Sequence, residues 1–218
     1  MLRHPMNPNL QLHYDDTFEG LPVMVSKGPF VQQYLFRLKE TLEQSLQEYP
    51  RTLAFRVDLR LPVGIQLPEH AYANEVISRF IASFNAKIKH DRACARKINP
   101  RAHDSRVRYV WAREVGWGQR PHYHLLILLN QDAYFTIGRL RSDTSNMISR
   151  MEEAWASALS LSVGQVSGLV EIPDNATYRV NRRCLDGISA LFYRASYLCK
   201  AATKSYGDSH HGFGYSRI

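Results

Sequence analysis

From Phe30 to Glu48 the apolar positions Val31, Tyr34, Leu35, Leu38, Leu42 and Leu46 recur at helical spacing. The period then changes. Leu53, Phe55, Val57, Leu59 and Leu61 alternate with Ala54, Arg56, Asp58 and Arg60, which predicts a strand with one face on a core, ended by Pro62. Residues 70–90 return to helical spacing, and 91–105 read as a polar, basic connection. Strands are expected at about Val107–Val115 and His122–Asn130, joined as a hairpin by the turn chemistry of Gly116-Trp117-Gly118-Gln119-Arg120-Pro121. A helix follows over 145–159, a short strand near Val166–Ile172, a polar loop over 174–184 and a last helix over Asp186–Lys204, after which Gly207, Gly212 and Gly214 loosen the tail.

The first 29 residues, broken by Pro5, Pro8, Pro22 and Pro29, read as an arm. Residues 1–49 are therefore expected to be an N-terminal arm and helix, and residues 50–218 the main domain. Its six middle elements run strand–helix–strand–strand–helix–strand. That order predicts an α+β, ferredoxin-like (RRM-like) antiparallel sheet with helices on one face.

Composition narrows the class. With 44% hydrophobic and 22% charged residues, the 218-residue chain can bury a real core. Cys94, Cys184 and Cys199 have no metal-ligand spacing and read as reduced thiols. No apolar run reaches the ~18 residues of a membrane span. The polar N-terminus lacks a signal-peptide core, so a cytoplasmic location is expected. The net charge of +8 makes a polyanion a fitting partner.

Two constellations carry chemistry. His122 and His124 flank Tyr123 at the start of a strand, so both imidazoles share one face. Glu114, eight residues earlier on the other limb of the hairpin, falls nearly opposite them. Two imidazoles and a carboxylate with open positions suit Mg²⁺ or Mn²⁺. The competing account is an ordinary surface pair, with Glu114 serving Arg113 or Arg120. On the last helix Tyr193 and Tyr197 stand four apart, with Lys200 and Lys204 continuing the row. A phenol can attack a phosphodiester, and a nearby ammonium can offset the developing charge. The competing account is aromatic core packing beside cations that favour a helix C-terminus.

Together, H-hydrophobic-H on a strand and Y-x-x-x-Y-x-x-K on a following helix resemble the HUH endonucleases, in particular the two-tyrosine rolling-circle initiators of bacteriophages. The chain also resembles the inovirus replication-protein family of phages and prophages, whose closing motif is similar to Phe213-Gly214-Tyr215-Ser216-Arg217. Tyr123 departs from the usual purely apolar residue between the histidines, and the first 50 residues are not covered.

The resemblance implies metal ligands at His122, His124 and Glu114, nucleophiles at Tyr193 and Tyr197, and assistance at the phosphate by Lys200. It implies single-stranded origin DNA as substrate, with a host helicase and polymerase as partners. Arg92, Arg96, Lys97, Arg179, Arg182 and Arg183 are candidate phosphate contacts, and Trp111 and Trp117 candidate stacking platforms. Two other classes stay open. One is a non-catalytic prophage DNA-binding regulator; the other is a metal-dependent hydrolase that uses activated water.

Overall fold

The alternating segment after residue 50 becomes a central strand around which the other elements are laid. The computed structural model describes residues 2–116, 120–138, 145–202, 204 and 210–217. The main elements are β1 (Asn7–His13), α1 (Gln32–Glu48), β2 (Arg51–Leu59), α2 (Glu75–Ile98), β3 (Arg108–Val115), β4 (Pro121–Asn130), α3 (Met147–Leu159), β5 (Val170–Glu171), β6 (Thr177–Asn181), α4 (Leu185–Ala195) and β7 (Phe213–Tyr215). The large sheet runs β6–β2–β4–β3–β7 and β5 also pairs with β2, every pair antiparallel.

Both faces of this sheet are covered. Phe55 and Val57 of β2 and Leu125 and Ile127 of β4 pack against Phe80 and Phe84 of α2 and Met151 and Trp155 of α3. Ala54, Val110, Ala112, Leu126 and Leu128 face the other way, onto Leu35, Leu38 and Leu42 of α1 and Leu191 and Phe192 of α4. The helices between these strands, α2 and α3, share one face, and the added N-terminal and C-terminal helices, α1 and α4, cover the other. The reason is legible in Leu125–Leu129, an unbroken apolar run that needs cover on both sides. Each fully buried Leu or Phe contributes about 1.5–3 kcal/mol. Trp155, fully buried, also donates its indole N–H to the Arg60 carbonyl at 2.8 Å.

Several local expectations are corrected. Residues 91–98 continue α2 rather than forming a connection. Their polarity marks an outward face, and Arg, Ala and Lys are good helix formers. Asp91 ties this last stretch to its surroundings: Tyr134 Oη donates to it at 2.6 Å, and Arg92 and Arg150 pair with it. Residues 177–181 are an edge strand, not loop, with only Val180 buried. The last α-helix stops at Ala195, and a 3₁₀ turn over Ser196–Cys199 follows it. Within the expected strand at 166–172 only Val170–Glu171 is extended, behind a 3₁₀ turn over Val163–Val166.

The N-terminal segment is not a loose arm. β1 pairs with Arg3–His4 and with Phe30–Val31. Phe18, Leu21, Val23 and Met24 are buried in the same core as α1 and α4, so the division expected at residue 49 marks no gap in packing. Phe213–Tyr215 is not loose either, since it pairs with β3, while Gly207 lies outside the described residues. The Trp111 indole lies over Gly214, where a Cβ would overlap it. Gly214→Ala is therefore expected to cost about 1–3 kcal/mol through overpacking. In thermal melts that is a loss of roughly 2–4 °C per kcal/mol for a chain of this size.

Candidate metal centre

The register of three strands builds the site. Glu114 on β3 pairs directly with His122 on β4. His124 is flanked by Ala112 on one side and by Asp58 of β2 on the other. Glu114, His122 and His124 each offer one ligand atom, all within 4.8 Å of one another. His122 Nε2 and His124 Nε2 stand 3.8 and 3.6 Å from the same Glu114 oxygen, Oε2. These gaps are too long for hydrogen bonds. They approach the ~3–3.5 Å between ligands that each sit ~2.1 Å from one divalent ion. The donor set, two imidazoles and one carboxylate, is one that could hold a divalent metal ion.

The surroundings orient these side chains. His124 Nδ1 lies 2.7 Å from Asp58 Oδ1, a close charge contact off the ring's N–H axis that turns Nε2 toward Glu114. Arg56 Nη2 in turn donates to Asp58 at 3.3 Å. The other Glu114 oxygen, Oε1, is 3.1 Å from Lys200 Nζ and 3.5 Å from Lys204 Nζ. One oxygen thus faces the lysines and the other the histidines.

The protonation states follow from these contacts. Burial alone would raise the Glu114 carboxyl. Its contact with His124 and the charges of Lys204 and Lys200 outweigh burial and hold it well below the usual carboxylate range. Burial and the neighbouring His124 push His122 down, which favours the neutral imidazole a metal needs. Burial opposes the charged form of His124, yet the two flanking carboxylates push it up. A metal at Nε2 would take the place of that proton. Burial pushes Lys204 down to about 8, against the pull of Glu114.

The 3₁₀ turn after α4 brings the second constellation here. Lys200 Nζ donates to Tyr197 Oη at 2.7 Å. The Tyr197 ring meets His124 edge-on at 5.5 Å between centroids, with the Arg56 guanidinium 5.0 Å over its face. Tyr193, one turn earlier, is 43% exposed, and its carbonyl accepts from Ser196 Oγ at 2.7 Å. Glu114, His122, His124, Tyr197 and Lys200 therefore meet, and Tyr193 stands at the solvent edge. A groove of about 300 Å³ beside the histidines is lined by Arg60, Leu61, Val63, Arg120 and Pro121.

Asp58 and Arg56 were not singled out from sequence. Their signal was available: two charged side chains on one face of a strand whose other face is apolar from Leu53 to Leu59. Asp58→Asn is expected to weaken Mn²⁺ binding ~10–100-fold, read by titration calorimetry, with little change in fold.

The outlying candidates fare differently. Trp111 is buried in the core and offers no platform for a base. Trp117 lies outside the described residues. Arg92 is engaged by Asp91 and stacks on Tyr134. Arg179 stacks on Phe135 at 3.8 Å, while Arg182 and Arg183 are exposed. Among the described residues, no helix is long and apolar enough to cross a membrane.

Comparison with known proteins supplies a family. The uncharacterized protein YfjJ of Escherichia coli K12 is 33% identical over 200 residues, covering 87% of this chain and 96% of its own length. The uncharacterized protein YagK of the same strain is 31% identical over 210 residues, covering 93% of this chain and 98% of its own. Among solved structures, the N-terminal nuclease domain of the minute virus of mice non-structural protein 1 aligns loosely. Its TM-score is 0.24 at 11% identity, over 81% of this chain and 78% of that one. Residues 13–216 match the YagK/YfjJ C-terminal domain, and this chain belongs to that family.

Proposed function

We propose that this protein is a metal-dependent endonuclease of the HUH type. It nicks and rejoins single-stranded origin DNA during rolling-circle replication of a phage or prophage element. One observation carries the reading: the turn after α4 sets a phenol and an ammonium against a Glu-His-His cluster on the sheet, with Lys200 touching both Tyr197 and Glu114. The strand order β6–β2–β4–β3, with α2 and α3 as crossovers, also fits the ferredoxin-like (RRM-like) arrangement of that class.

In this reading Glu114, His122 and His124 hold Mg²⁺ or Mn²⁺, which supplies Lewis-acid polarisation of the scissile phosphate. Tyr197 Oη attacks phosphorus, the bond from phosphorus to the 3′-oxygen breaks, and that oxygen leaves as a 3′-hydroxyl after taking a proton. The 5′ end stays on the enzyme as a phosphotyrosine. The Lys200 ammonium offsets negative charge as it builds at the reacting oxygens. Tyr193, within a turn, serves as the second nucleophile. Its attack on the regenerated junction frees a 3′-hydroxyl, which reverses the first linkage and closes a circle. The phosphotyrosine retains the bond energy, so joining needs no ATP. A host helicase and polymerase supply unwinding and extension.

The test is a denaturing gel of protein incubated with labelled single-stranded DNA from its own replicon's intergenic region. A shifted band that forms with Mn²⁺, fails with EDTA and survives boiling is the expected result. Cleavage with no shifted band would replace the reading with a water-using hydrolase. Binding without cleavage on a verified origin would leave a non-catalytic prophage regulator.

A further inference from the structure

At the opposite end of the same strands lies a second concentration of charge. Arg108 and Glu114 are six residues apart on β3, which puts about 20 Å between that end and the metal centre. Residues 89–108, the last turns of α2 and the segment leading into β3, carry seven Lys and Arg side chains against Asp91 and Asp104. This stretch alone supplies five of the chain's net +8.

Some of these charges are spent internally. Arg92 belongs to Asp91, and Arg108 Nη2 pairs with Glu48 at 2.8 Å. Arg96 meets Asp104 at 3.1 Å on an exposed surface, an arrangement that contributes little. Lys89, Lys97, Arg101 and Arg106 have no carboxylate partner among the described residues. Lys89, Arg96 and Arg106 line a cleft of about 470 Å³ between the end of α2 and the turn after α1. Lys97 and Arg101 flank it, both exposed, and between them Ile98 is 89% exposed.

We infer that this cleft and its rim bind the phosphate backbone of double-helical DNA, apart from the metal centre. Cations fixed on a helix and its following turn offer an ordered row, since Lys89 and Arg96 are two turns and about 10.5 Å apart. A polyanion of high, regular charge density answers such a row by releasing its counterions. The surface is poor in what a single strand needs. Single-strand sites stack bases on aromatic rings. The one aromatic in this lining, Tyr49, is committed to accepting the Arg106 backbone N–H at 3.0 Å. Backbone contact without base stacking matches a duplex.

Duplex binding at this cleft needs no metal, so it is measured apart from nicking. Anisotropy of a labelled 20-bp duplex of arbitrary sequence would be followed across a salt series in EDTA. The triple variant Lys89→Gln, Lys97→Gln, Arg101→Gln removes exposed charges only, and a thermal melt checks that it is folded. Its slope of log affinity against log salt should be shallower by about 2–3, since each lost phosphate contact removes ~0.9. Affinity at fixed salt should fall at least tenfold, while His122→Ala binds the duplex as the parent does. Unchanged affinity and slope in a folded triple variant would overturn the assignment. So would loss confined to a single strand of the same length, or to an acidic protein with the duplex unaffected.

Discussion

Tyr197→Phe should abolish the covalent DNA adduct and lower nicking by on the order of 10³-fold or more, as expected when the nucleophile of a concerted site is removed. The substitution deletes one oxygen. The ring keeps its edge-on packing against His124 and its place under Arg56, so stability and metal affinity should hardly move. Lys200 loses one partner and keeps Glu114 at 3.1 Å. Tyr193→Phe should behave differently. That phenol is exposed, and only the closing transfer depends on it in the proposed cycle. The single Tyr193 variant should form the adduct and accumulate it, failing to release a circle. Sampling adduct and circle separately over time reads both effects. If Tyr197→Phe still forms the adduct at the parent rate while Tyr193→Phe does not, the assignment of the first nucleophile is reversed.

The Glu-His-His cluster was legible in the sequence because it depends on strand register alone. Alternation puts His122 and His124 on one face, and a short hairpin sets Glu114 opposite His122. The supporting residues were less so. Asp58 reaches His124 from β2, a pairing that joins residues 66 apart and leaves no local mark. The helix carrying the tyrosines was read as one continuous stripe. Its break after Ala195 depends on tertiary contacts, among them Ser196 Oγ accepting the Met24 N–H at 3.0 Å and the bridge between Phe30 and Lys200. Those partners come from the N-terminal segment, whose prolines hid its share in the core. The basic stretch after residue 90 failed as a loop for a simpler reason: polarity reports exposure, and an exposed helix end is as polar as a loop.

Glu114→Ala tests whether the carboxylate binds the two constellations into one site. Its immediate loss is a ligand, so Mn²⁺ binding should fall below detection in a calorimetric titration. The second effect is on the fold. Lys200 and Lys204 both lean on Glu114 Oε1, and Lys204 is 5% exposed. Removing the carboxylate leaves buried ammonium groups without their counter-charge, which costs about 3–5 kcal/mol for a buried pair broken on one side. With about 2–4 °C lost per kcal/mol, the metal-free variant should melt roughly 6–20 °C below the parent. Adding Lys204→Met separates the two roles. An apolar side chain of similar length removes the stranded charge, so the double variant should regain most of the stability and none of the metal affinity. A Glu114→Ala variant that melts with the parent would mean the lysines do not depend on this carboxylate. Lys200 would then not link Tyr197 to the Glu-His-His cluster, and the two constellations would not form one reaction centre.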